Sequence, residues 1–410
     1  MLMKSIYFTS KRLARGNMVT PDAIVSSRGT TDTILLVGML DSPHFRKWAL
    51  ALLQSLPRQR VLLFASDNPM LDWWDKKRET LENANLEIFR FHGNEKLNLR
   101  IYLILGQLLG LKWRAYALAK LIIRHQPRVI HFHEMQHGAY IYNLISNNKK
   151  FSTSSKKIIS TWGSDLTLYG WSNEHKANIQ SCLKWADVLT AEKADEETWA
   201  RTFGFVGKFE APVYIHLGAS IDLGARSIMP SYRRRILIKG YQDESGRGLN
   251  ALEIVARNKM HILDFEILVF SAANSVKLQV DRLRNIHGIN ISVATFTQET
   301  KYDLFSSARV YLGLAESDGL PAAFVEAMQS GCFTIQSENS AAVNFIENGR
   351  NGFLVDPWDF DQIGDALRRS LSDDFLVDSA VGMNLEILKN KYSLEVGINR
   401  LKSLYEYSSL

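Results

Sequence analysis

Short apolar runs of strand length alternate with longer amphipathic stretches along most of this chain. Residues 33–40 (TILLVGML) read as a strand and 44–56 (HFRKWALALLQSL) as a helix. Residues 60–66 (RVLLFAS) are a strand, and 128–134 (RVIHFHE) are another, after a helix ending near Arg124. A strand at 156–161 (KKIIST), a helix at 172–186 and a strand at 187–193 (DVLTAEK) follow. This alternation predicts a parallel sheet covered on both faces by helices.

The pattern breaks at residues 218–232, a stretch rich in Gly, Ser and Arg, and then restarts. Strands are predicted at 236–240 (ILIKG), 265–271 (FEILVFS), 291–296 (ISVATF), 310–315 (VYLGLA) and 332–337 (CFTIQS), with helices between them. The expected architecture is α/β: two facing Rossmann-like, doubly wound domains with a cleft between them. The boundaries fall at 1–218 and 219–390, and a C-terminal helix in 391–410 can belong to either domain, packing back on the first or staying with the second. Ligands of such sheets bind at the carboxyl ends of the strands, so the loops there are where chemistry is expected.

A length of 410 residues suits two domains of this kind. Cys182 and Cys332 are too few for a disulfide framework or a metal cluster. No apolar run reaches the roughly 18 residues that a membrane span needs. The N-terminal segment is basic but lacks the apolar core of a secretory signal. The expected location is therefore cytoplasmic.

The net charge of +6 is uneven. Residues 1–205 hold 28 Lys and Arg against 18 Asp and Glu, whereas the remainder holds 21 against 25. An anionic partner is thus expected at the first half. Residues 99–125 interleave Arg100, Lys112, Arg114, Lys120 and Arg124 with Leu, Ile, Tyr and Trp. That pattern fits either peripheral contact with an anionic membrane or an ordinary solvated helix. The bases are dispersed and no nucleic-acid-binding signature is present, so nucleic acid is not expected.

The segment 316–331 (ESDGLPAAFVEAMQSG) carries the most chemistry. From Gly319 to Ser337 the only charged residue is Glu326, set among Phe324, Val325, Ala327 and Met328. Gly319 lets backbone N–H groups come close to a ligand, and the helix that opens after Pro321 offers its N-terminal dipole to an anion. Burying the Glu326 carboxylate is costly unless it is paired. The partner is either a ligand rich in hydroxyl groups or a cation of the protein.

These residues resemble the signature of the retaining GT-B glycosyltransferases called group 1, or family 4. There an acidic residue and Gly-Phe-Gly-Leu-Pro lead to Glu-Ala-Met, a small residue and Gly. The resemblance implies that Glu326 binds the ribose of a nucleotide-sugar donor. It places Asp318, one methylene shorter than the family's Glu, near the sugar and diphosphate, beside Gly319, Leu320 and Pro321. The continuation 341–359 (AAVNFIENGRNGFLVDPWD) is similar as well. The family's diphosphate-binding cations map to Arg247, the first choice here, and more weakly to Lys239, with Tyr241 in the place of the usual Arg.

In the first domain, 158–171 (IISTWGSDLTLYGW) resembles the family loop that lines the sugar and acceptor site. Trp162 stands where many members have His. Gly163, Ser164 and Asp165 follow, with Asp165 either holding sugar hydroxyls in a catalytic position or capping a helix. His133, in a His-x-His pair with His131, is similar to a family His near the acceptor. Residues 41–52 (DSPHFRKWALAL), after the first strand, resemble the family segment where donor and acceptor meet, which makes His44 and Arg46 either contacts for an anionic acceptor or exposed loop residues. Asp359 and Asp361 form a DxD, but they open a helix, where Asp is electrostatically favoured.

The implied function is retaining, metal-independent transfer of a sugar from a nucleotide-sugar donor, which is a substrate rather than a cofactor. The implied acceptor is a glycan or lipid-linked molecule, in surface polysaccharide biosynthesis. Two rivals are a related sugar-nucleotide enzyme, such as an epimerase or phosphorylase, and a non-catalytic protein that keeps the scaffold.

Overall fold

A computed structural model describes residues 32–67, 72–76, 85–88, 110–146, 151–210, 212–215, 228–297 and 300–406. The strands at the middle of each sheet are largely apolar, as burial on both faces requires. β1 (Thr33–Gly38) and β4 (Val129–His133) are buried at every position. With β2 (Arg60–Ala65), β3 (Leu86–Ile88), β5 (Lys156–Ser160), β6 (Val188–Thr190) and β7 (Lys208–Glu210) they form a parallel seven-stranded sheet in the order 3-2-1-4-5-6-7.

The second sheet is built from β8 (Arg235–Lys239), β11 (Glu266–Phe270), β12 (Ile291–Ala294), β13 (Val310–Gly313), β14 (Phe333–Ser337) and β15 (Phe353–Val355). Its order is β12-β11-β8-β13-β14-β15, again all parallel. A two-stranded antiparallel hairpin, β9 (Gln242–Asp243) with β10 (Gly246–Arg247), stands outside it. Both sheets therefore reverse strand order at one point, between β1 and β4 in the first and between β8 and β13 in the second. A crevice opens at the carboxyl ends of such a pair.

Each sheet has an apolar cluster on either face. The helix Leu394–Glu406 places Leu401, Leu404 and Tyr405 in the cluster formed by the helix Pro43–Ser55 on the first sheet. The last helix thus crosses back to the first domain, and the Arg128 guanidinium donates to the Tyr405 carbonyl at 2.8 Å. Most of the break at 218–232, including the 218/219 boundary, lies outside the described residues.

The short strands β3, β7 and β15 and the hairpin were not foreseen from sequence. Each has two or three residues, too few to set up a periodicity. The longest helix, Asp374–Tyr392, was not foreseen either. Asp359, half of the DxD, caps the helix Phe360–Ser372 by accepting from the Gln362 N–H at 2.9 Å.

Candidate active site between the two sheets

The two switch points face one another across a cleft of about 500 Å³. One wall comes from the first domain: His44 in the first turn of the helix Pro43–Ser55, His133 at the end of β4, Trp162 after β5 and Glu192 after β6. The other comes from the second: Lys239 at the end of β8, the loop 318–321 after β13, and Glu326 one turn into the helix Ala322–Gln329. Phe296 and Lys301 complete that side.

His131 and His133 project from the same face of β4, as alternation along a strand requires, and their rings stack with centroids 4.2 Å apart. They differ in chemistry. His131 is satisfied on both nitrogens, with Tyr405 Oη at 2.5 Å and Ser160 Oγ at 2.7 Å. His133 is fully buried and neither ring nitrogen has a partner, yet it lines the cleft. Burial pushes its pKa down to about 3, so it is a neutral imidazole able to donate and accept one hydrogen bond each. Trp162 lies at a ring distance of 6.2 Å from His133 and 5.9 Å from His44.

Lys239 is nearly buried, and its ammonium donates to Asp318 Oδ2 at 3.0 Å and to the Ser245 carbonyl at 2.7 Å. It also sits 5.1 Å from the centre of the Tyr241 ring. Its place at the end of β8 turns Lys239, the weaker candidate from sequence, into the cleft. Arg247, the sequence-based first choice, does not line the cleft. Its guanidinium pairs with Glu316 and lies over the Trp358 ring at 5.1 Å.

Glu326 has half of each expected arrangement. Its Oε1 accepts from the Lys301 ammonium at 2.6 Å, whereas Oε2 is buried without a partner. Of the two partners expected from sequence, a cation of the protein meets one oxygen, and the other oxygen is left without a partner. A third charge is close: the Lys47 ammonium of the first domain is held below its usual pKa by burial, while Glu326 acts in the opposite sense and Lys301 adds to the depression.

The remaining sequence-based candidates divide. Asp165 does not line the cleft; it is buried and accepts from the Trp162 N–H at 2.9 Å, so it clamps the loop from behind. Burial raises its pKa to about 7. Arg46 also turns away, bonded to the Leu40 carbonyl at 3.2 Å and to Asp41 at 3.4 Å, with its guanidinium over the Trp73 ring. Gly163 has φ +85° and packs directly on the backbone of Gly319, where a Cβ would collide with the Gly319 nitrogen. Ser164 Oγ donates to the Ser317 carbonyl at 3.4 Å, so this loop joins the two domains.

Among the cleft residues that escaped the sequence reading are Lys301, Phe296 and Glu192. Lys301 and Phe296 belong to no motif. Glu192 falls near the end of the predicted strand 187–193, and the rule that ligands bind at strand ends could have found it.

Residues 247–373 match the family model described as glycosyl transferases group 1. No curated protein matches the chain in sequence. Among solved structures it is similar to Anabaena Alr3699/HepE in complex with UDP and glucose, at TM-score 0.65 and 14% identity, covering 92% of this chain and 100% of that one. It is similar to a glycosyltransferase from Rickettsia africae at TM-score 0.65 and 15% identity, covering 93% and 99%. Sucrose-phosphate synthase from Thermosynechococcus elongatus gives TM-score 0.68 and 13% identity, covering 92% and 98%. The fold is GT-B, in agreement with the expected architecture.

Proposed function

We propose that this protein is a retaining glycosyltransferase that uses a nucleotide-sugar donor and needs no metal ion. The observation that carries the reading is the meeting of Lys239, Asp318, the Gly319 loop and a half-satisfied Glu326 on one wall of the cleft. Glu326 would take the donor's ribose hydroxyls on its free oxygen. Lys239 and the amino end of the helix Ala322–Gln329 would hold the diphosphate, where charge develops as the glycosidic bond breaks. The departing phosphate oxygen would accept the proton of the acceptor hydroxyl as the new bond to the anomeric carbon forms on the same face. No protein base is needed for that step. His133, neutral and unpartnered, would hydrogen-bond the sugar or the acceptor.

The deciding experiment is a thermal-shift panel of nucleotide-sugars, followed by product analysis with acceptor extracts. A donor that stabilises the chain and is transferred with its anomeric configuration kept supports the reading. Turnover without any acceptor supports an epimerase instead. Transfer should survive EDTA, because a lysine and a helix dipole neutralise the leaving group. Activity lost with EDTA and restored by Mn²⁺ overturns the metal-free assignment.

The acceptor is proposed to be a glycan or lipid-linked molecule, presented by a first domain that rests on an anionic membrane. On the helix Leu111–His125, Lys112, Tyr116, Lys120 and Ile123 are exposed along one face. No helix among the described residues is long and apolar enough to cross a membrane. Arg114, counted with this surface from sequence, turns inward to the Ser66 carbonyl at 2.8 Å, and residues 99–109 lie outside the described residues. Reversing Lys112 and Lys120 to Glu should release the protein from anionic liposomes at low salt. Unchanged cosedimentation removes this face from consideration.

A further inference from the structure

Glu192 is a carboxylate from the first domain held against the anion-binding loop of the second. Its Oε2 accepts from the Leu320 N–H at 2.5 Å. It fills the space beside Gly319, so a Cβ there would have to push the Glu192 carboxylate aside. The residue is fixed from behind as well. Its own carbonyl accepts from Tyr214 Oη at 2.7 Å and from Asn344 Nδ2 at 2.9 Å, and Asn344 Nδ2 also reaches Tyr214 Oη at 3.0 Å. Leu320 immediately precedes Pro321 and the first turn of the helix Ala322–Gln329, whose earliest N–H groups have no carbonyl within the helix to bind.

Nothing in the fold demands a charge at this point. Burial between the domains raises the Glu192 pKa to about 7, the Leu320 N–H opposes that rise, and the Asp318 carboxylate adds to it. Lys239, on the same cleft, donates to Asp318 and Ser245. A carboxylate kept there at a cost, on a backbone N–H at a helix start, is positioned as an anion would be. A second observation marks the same cleft as built for a ligand: His133, fully buried, lines it with both nitrogens unpartnered.

We propose that Glu192 is an internal stand-in for the donor's phosphate, occupying the Leu320 N–H in the empty protein and displaced when a diphosphate enters. This rests on the reading of the Gly319 loop as the diphosphate site and adds a regulation to it. The displaced contact bridges the two domains, so donor entry is coupled to their relative position. Glu192 then lowers affinity for any anion at the loop, and it keeps the cleft latched until a ligand strong enough to replace it arrives.

The experiment is calorimetric titration of the full chain with inorganic pyrophosphate, for wild type, Glu192→Ala and Glu192→Gln. A charge-assisted hydrogen bond is removed as a competitor, so Glu192→Ala should bind pyrophosphate about tenfold more tightly or better. Glu192→Gln should fall between, since an amide oxygen accepts more weakly than a carboxylate. Glu192→Gln preserves the shape, so it decides the matter if Glu192→Ala melts early. Equal affinity in wild type and both variants overturns the stand-in while leaving the diphosphate site intact. Weaker binding in the variants also overturns it, and makes Glu192 a direct part of the binding surface. Binding by none of the three overturns both the stand-in and the loop assignment.

Discussion

Lys239→Met is expected to lower kcat/KM by about 10²-fold or more, and Arg247→Ala by much less. Removing one preorganised charge from a developing anion costs about two to three orders of magnitude in rate. The Lys239 ammonium is nearly buried at the end of β8, beside the Gly319 loop, where the field of a single charge is least screened. Arg247 is already neutralised by Glu316 and covered by Trp358, outside the cleft. The two variants therefore separate a site built on the observed geometry from one built on the order of motifs along the chain. Initial rates across a range of donor concentrations decide between them. A larger loss in Arg247→Ala would mean that the hairpin β9–β10 moves when the donor binds and brings that guanidinium in. Lys239→Met also frees Asp318 from its partner, so the melting temperature of the empty variant has to be read alongside the rates.

Glu326→Gln is expected to melt within a few degrees of wild type when empty, yet lose much of the stabilisation that a nucleotide gives. Lys301 and Glu326 each expose 22% of their side chains, so this is a partly solvated pair. Such a pair contributes about 0–1 kcal/mol, against about 3–5 kcal/mol for breaking a fully buried one. A loss of 1 kcal/mol moves the midpoint by about 2–4 °C in a domain of this size. A hydrogen bond to a charged group contributes about 1.5–3 kcal/mol, roughly 10- to 100-fold in affinity. Nucleotide stabilisation follows RT ln(1 + [L]/Kd), so about half or more of a shift measured at 100 times Kd disappears. Transfer activity should fall with it. A variant that melts far earlier when empty, and gains as much as wild type from nucleotide, would make Glu326 the structural partner of Lys301 alone. Lys301→Met tests the same pair from the other side: it should leave nucleotide stabilisation largely in place.

The outline of the site was legible because it depends on local order. The run 316–331 places a loop after a strand, a proline at the first turn and a carboxylate one turn further on, and β13 followed by the helix Ala322–Gln329 reproduces that sequence of events. His131 and His133 share a face because side chains alternate along any strand. What each of these groups touches was not legible. Lys301, 25 residues before Glu326, meets it only because two helices pack side by side. Asp165 and Arg46 were assigned to the cleft from the loops they occupy, and both turn inward to satisfy backbone groups nearby. A loop's place in the chain sets where its backbone runs, whereas the direction of a side chain depends on neighbours from elsewhere.

The same division holds for the whole molecule. Apolar runs of strand length, repeated with amphipathic helices between them, determined by themselves that the chain forms two parallel sheets, because such runs are stable only when buried on both faces. The break near residue 218 determined that there are two. Only the tertiary structure decided how the two halves meet, since that depends on surfaces far apart in sequence. Gly163 against Gly319, Glu192 against Leu320 and Tyr405 against His131 are separated by 156, 128 and 274 positions. No periodicity records such pairs. They follow from close packing and from the requirement that each buried polar group find a partner, conditions that apply only once the chain is folded.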